Sequence, residues 1–142
     1  MQKSRIRMAL TILGVSFGIA MGQDCKNMTY ESRNQIDPSP IRVAAVQGVV
    51  QDAERVKIPR ACVGIFTGAD HQLVGVSQTG EDGRFELKGI DSGDYRLVAK
   101  YDGFCVANAR LRLTAGTRRV KALVVHMKPG SIDGCSYVDQ KM

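Results

Sequence analysis

Tryptophan is missing from this 142-residue chain, and histidine occurs only at His71 and His126. The first absence removes the side chain that most often forms the stacking platform of a sugar site. The second leaves too few imidazoles for the commoner catalytic zinc sites and little for a Ser/His/Asp or Cys/His hydrolase. His71 falls in a loop beside Asp70, where neighbouring side chains usually point apart. His126 alternates with Val125 and Met127, as on the outer face of a strand. No two of the four cysteines stand in C-x-x-C spacing, which argues against redox and metal roles. No window of helical length has apolar residues at three- and four-residue spacing, and only one long apolar run occurs. These absences predict no catalytic residues, no cofactor and no metal.

The single apolar run lies at the N-terminus. Lys3, Arg5 and Arg7 precede an uncharged stretch from Met8 to Ala20, and Ala20-Met21-Gly22 offers small residues where a signal peptidase cuts. Residues 1–22 therefore read as an export signal, cut before Gln23 or, alternatively, after Ala20. The run is too short to span a bilayer comfortably. Cys25 follows Gly22-Gln23-Asp24, which is no lipid-attachment box. The mature chain is expected outside the cytosol, secreted or in the periplasm, with no stable membrane insertion. Outside the cytosol an even set of cysteines, Cys25, Cys62, Cys105 and Cys135, reads as two structural bridges. Four cysteines allow three connectivities. Removal of the signal leaves 17 basic against 14 acidic residues. Arg110, Arg112, Arg118, Arg119 and Lys121 cluster late, but they alternate with apolar residues or sit in a turn, as on a solvated strand face. No nucleic-acid partner is expected.

Residues 23–40 are polar, lack a period and end in Pro38 and Pro40, which suggests an extended arm. Asn27-Met28-Thr29 matches the glycosylation acceptor pattern, a short pattern that often arises by chance. From Ile41 the period becomes two. Apolar-alternating runs cover Ile41–Val50, Ala61–Thr67, Leu73–Gln78, Arg84–Leu87, Asp94–Tyr101, Cys105–Leu113 and Val120–Met127, with turn residues between them. Ala61, Val63 and Ile65 share one face, as do Tyr95, Leu97 and Ala99, while Arg96, Val98 and Lys100 take the other. The pattern predicts an all-β fold, a single seven-stranded two-sheet sandwich over residues 41–128. A polar tail, residues 129–142, follows it.

Five pieces in order carry a resemblance: Gly48-Val49-Val50-x-Asp52, Ile58-Pro59-Arg60-Ala61-Cys62-Val63-Gly64-Ile65, Thr79-x-x-Asp82-Gly83-Arg84-Phe85-Glu86-Leu87, Gly93-Asp94-Tyr95-Arg96-Leu97 and Gly103-Phe104. Together they resemble the carboxypeptidase regulatory-like domain, a transthyretin-like sandwich. The motif is architectural. Gly83 permits a tight turn and Phe85 follows as an inward anchor. The resemblance implies that the second and fifth strands are antiparallel neighbours, so that Cys62 meets Cys105 and the two extensions are stapled through Cys25 and Cys135.

Two related chemistries on this sandwich leave signatures that are missing here. Hydroxyisourate hydrolases end in Tyr-Arg-Gly-Ser, whereas this chain ends Ser136-Tyr137-Val138-Asp139-Gln140-Lys141-Met142. Domains that close an internal Lys–Asn bond need a glutamate where Ala99 and Lys100 stand. Starch-binding-like domains share the architecture, and Phe66 and Tyr101 are the rings best placed for ligand contact. Either could equally pack at a sheet edge or beneath the arm. The expected function is therefore a non-catalytic structural or protein-interaction module, whose partner is an envelope or extracellular protein. Carbohydrate binding, with a polysaccharide as partner, is the alternative.

Overall fold

The computed structural model describes residues 24–32, 39–116, 120–130 and 136–141. The expected export signal, Arg118, Arg119 and Cys135 lie outside them. Nine strands form two sheets: β1 (Ile41–Val43), β2 (Val46–Asp52), β3 (Cys62–Thr67), β4 (Leu73–Gln78), β5 (Arg84–Leu87), β6 (Gly93–Lys100), β7 (Ala107–Leu113), β8 (Leu123–Met127) and β9 (Tyr137–Gln140). One sheet runs β1-β7-β6-β3-β4 and the other β5-β2-β8-β9. The sandwich has nine strands where seven were expected, and both additions have local causes.

The first apolar run breaks at Ala44-Ala45, where the chain bends. Ile41–Val43 pairs in parallel with β7, whereas Val46–Asp52 joins the other sheet between β5 and β8. One run thus serves both layers. The second addition comes from the tail, where Val138 pairs with Val125 and packs against the core. A single apolar residue among polar ones gave too little alternation to read as a strand.

The core lies between the sheets and is built by the period-two faces. Val63 and Ile65 of β3, Leu97 and Ala99 of β6, and Leu111 and Leu113 of β7 meet Val46 and Val50 of β2 and Leu123, Val125 and Met127 of β8. Each fully buried Val, Leu, Ile or Met contributes roughly 1.5–3 kcal/mol. Two buried hydroxyls fasten the layers. The Thr79 hydroxyl accepts from Ala61 N at 2.8 Å and donates to Ile58 O at 2.7 Å. The Ser136 hydroxyl donates to Cys105 O at 2.7 Å and accepts from Lys128 N at 2.9 Å, holding the tail to the sandwich. Gly83 adopts φ 72°, and a Cβ there would stand 2.7 Å from Val50 O, so both backbone conformation and space require glycine.

Candidate functional site

The outer face of the five-stranded sheet is where the structure departs most from the sequence reading. Residues 24–32 of the arm fold onto it. Cys25 is joined to Cys62, with Cα atoms 5.4 Å apart, which corrects both expected pairings, Cys62–Cys105 and Cys25–Cys135. The cause lies in the pleat. Val63 and Ile65 point into the core, so Cys62 points outward, where the arm runs. Cys105 instead lies beside the end of β8, its N–H bonded to Lys128 O at 2.9 Å.

Past the bridge, Met28 N–H bonds back to Cys25 O at 3.2 Å, and the turn lowers Met28 over Gly64. A Cβ on Gly64 would lie 2.6 Å from the Met28 sulfur, so glycine at this position makes room for the arm. Met28 and Cys25 form a second small core with Cys62, Phe66 and Val98. Lys100 donates to Thr29 O at 3.0 Å and pairs with Glu31 at 3.2 Å, and Asn108 Nδ2 donates to Glu31 O at 2.7 Å. Asn27 stays exposed at the turn.

This cover decides the fate of the aromatic residues. Phe66 is 1% exposed and lies edge-on beneath Tyr30, with ring centroids 5.5 Å apart. It presents no ring face to a ligand, which corrects its place as a ligand contact. Tyr101 is half-buried, packed against the main core and tilted on Phe104 at 5.8 Å. The arm supplies what the sequence reading missed, because its Tyr30 falls in a stretch without a period.

The edges of the sheets are the remaining places for a partner. β1 is three residues long and carries Arg42, β5 carries Arg84 and Glu86, and β9 carries Asp139. Charges and short length of this kind deter strand-to-strand association. β4 differs. Its six residues, Leu73–Gln78, hold no charge and no proline, and its neighbours His71, Gln72 and Thr79 add no Lys, Arg, Asp or Glu. Leu73 and Val74 are exposed. β4 pairs with β3 on one side and has no strand on the other among the described residues. Leu87 and Ile90 pack beneath Gly75 and hold the strand to the sandwich.

A family model for the carboxypeptidase regulatory-like domain matches residues 45–128, more than half of the chain. The chain belongs to that family. Comparison with curated proteins returns no match. The domain's matched span runs from the residue before β2 to the end of β8, so the disulfide-bound arm, β1 and β9 are additions at its borders.

Both histidines of this carboxypeptidase regulatory-like domain stack on tyrosines. His71, at φ 54°, stacks on Tyr30 with centroids 3.8 Å apart, while Asp70 turns to the Thr67 hydroxyl. His126 Nε2 lies 3.2 Å from Asp139 Oδ1 and its ring stacks on Tyr137 at 4.5 Å. That is an imidazole–carboxylate pair, but the nearby Ser136 hydroxyl is bonded to the backbone of Cys105 and Lys128. The shortest ion pair among the described residues is Asp94 with Arg112, at 2.8 Å. The Arg112 hydrogen bond holds the Asp94 carboxyl below its ordinary value of 3.8, and Asp94 in turn raises Arg112.

Proposed function

We propose that this protein is an exported, disulfide-stapled, non-catalytic interaction module that takes an extended segment of an envelope or extracellular protein as an added strand along β4. The observation that carries the reading is the contrast among the four edges. Among the described residues three are charged, and β4 alone offers an uncharged six-residue edge, with Leu73 and Val74 exposed. Strand addition draws affinity from main-chain hydrogen bonds and specificity from alternate side chains, and it requires an accessible edge of this kind. The export signal and the cysteine bridge support an extracytoplasmic setting, because such bonds persist where thiols are not kept reduced.

The test is capture of proteins from the producing cell's envelope fraction by the oxidised mature protein, compared with its Val74→Lys variant. A lysine on the edge blocks strand addition without entering the core. Capture should fall at least tenfold in this variant and persist in Val56→Lys, which changes an exposed valine in the β2–β3 loop. Equal capture by Val74→Lys would contradict the reading. So would retention on a protein-free polysaccharide, which would favour the carbohydrate-binding alternative.

A further inference from the structure

The arm reaches beyond the middle of the five-stranded sheet to the start of β4. Tyr30 stacks on His71, which stands two residues before Leu73 in the turn between β3 and β4. That turn is tied down. His71 N–H bonds to Thr67 O at 3.2 Å, Gln72 N–H to the Thr67 hydroxyl at 2.9 Å, and Thr67 N–H to Gln72 O at 2.9 Å. Tyr30 and Val76 both pack against the second small core. Leu73 converges with Met28 over Gly64, its Cδ1 lying 3.5 Å from where a Gly64 Cβ would stand. Tyr30 and Val76 are half-buried and Leu73 is exposed, so all three keep surface on the outer face beside the edge.

The pleat sets what an added strand meets here. Thr79, the residue after β4, donates its N–H to Ala61 O at 2.9 Å and accepts from Arg60 N at 3.0 Å, so its main chain faces β3. Main-chain groups alternate sides along an antiparallel strand, and Val76, three residues earlier, turns its N–H and C=O away from β3. Its side chain lies on the outer face, because the neighbouring Gly75 faces Leu87 and Ile90 on the core side. A strand residue opposite Val76 exchanges both bonds with it and shares its face. We propose, on the strand-addition reading of β4, that Tyr30 is a specificity-determining residue of that edge. With Leu73 and Val76 it forms an apolar ledge that selects added strands bearing apolar side chains at alternate positions. The ledge offers no counter-charge. β4 carries none, Asp70 is turned to the Thr67 hydroxyl, and Glu31 is paired with Lys100 at 3.2 Å. A lysine or aspartate on this face of the added strand loses water without gaining a partner, whereas a valine buries apolar area. The Cys25–Cys62 bridge tethers the arm, so opening it removes the ledge and leaves the main-chain edge in place.

The test is an NMR titration of the oxidised mature protein with two blocked seven-residue peptides. One alternates valine with threonine, and the other alternates serine with threonine. The valine peptide should shift the amide signals of β4 and bind about tenfold more tightly than the serine peptide. Tyr30→Ala should erase that preference, and Tyr30→Phe, which keeps the ring, should retain it. Cys25→Ala/Cys62→Ala should erase it as well, and carries the test if Tyr30→Ala does not fold. Val56→Lys should change nothing, and Val74→Lys should abolish binding of both peptides by blocking the edge itself. A preference that persists in Tyr30→Ala and in the bridge variant, with Val74→Lys still blocking, would overturn the ledge and leave strand addition standing. Tighter binding by the bridge variant would make the arm a shield over β4 and overturn the ledge too. Binding that survives Val74→Lys, or β4 amides that shift with neither peptide, would overturn strand addition and the ledge together.

Discussion

Opening the Cys25–Cys62 bridge should release the arm and leave the sandwich standing. The bridge spans 37 residues, and the chain-entropy model assigns a loop of that length about 3.8 kcal/mol at 25 °C. The arm itself is close to balance. Ordering the nine residues 24–32 costs about 9 kcal/mol at the low end of roughly 1 kcal/mol per residue. Burying Met28 and Tyr30 returns about 5 kcal/mol at roughly 2–3 kcal/mol each. The hydrogen bonds to Thr29 O and Glu31 O add about 1 kcal/mol each. The balance is near zero or slightly unfavourable, so the tether decides whether the arm stays. In Cys25→Ala/Cys62→Ala, hydrogen exchange at residues 25–31 should rise to nearly the unprotected rate. β3 and β6, buried on their core face, should keep their protection. Urea unfolding should show a loss of up to about 4 kcal/mol. An arm that stays protected, with stability changed by less than about 0.5 kcal/mol, would refute this reasoning.

Three further substitutions test other parts of the structure. Gly48→Ala places a Cβ 2.0 Å from Leu123 O, a backbone atom fixed by the β2–β8 pairing. It should cost about 3 kcal/mol or more in a urea melt, at the upper end of overpacking effects. His71→Ala should lose about 1 kcal/mol with the Tyr30 stack. His71→Gly should lose less, because glycine relieves the positive φ that alanine retains. The depressed Asp94 carboxyl contributes stability that is present above its unfolded value of 3.8 and lost as pH falls through its lower folded value. Asp94→Asn should therefore flatten the decline in thermal stability below about pH 4 and leave its shape near neutrality unchanged.

The sandwich was legible because burial imposes its own period. The inward positions Val63, Ile65, Leu97 and Leu111 alternate in the sequence as they do in the sheet. The turn at Gly83 was legible for a similar reason, since a local backbone requirement leaves a local residue. The bridge was not. Cys62 belongs to an outer face, and the residues covering that face come from an arm whose Met28 and Tyr30 follow no period. Strand adjacency alone points Cys62 toward Cys105, but the pleat turns the Cys62 side chain to the outer face. β6 does lie beside β3 as expected, but the residue opposite Cys62 is Lys100. The same cover hid the fate of Phe66, whose alternation gave its face but not what lies above it. The arginine pair across β6 and β7 was half legible. Arg110 and Arg112 read as one strand face, yet the buried Nη1 of Arg96 emerges only when β6 and β7 are set in register.

The β4 edge is the centre of the functional account, and amide exchange along it is the most direct test. The oxidised protein would be measured alone and after loading with the envelope protein it captures. Strand addition predicts that amides within Leu73–Gln78 slow at least tenfold on loading, while those of β5 and β9, edges of the other sheet, do not change. Unchanged exchange along β4 in a loaded protein would contradict the account and place the contact on another surface.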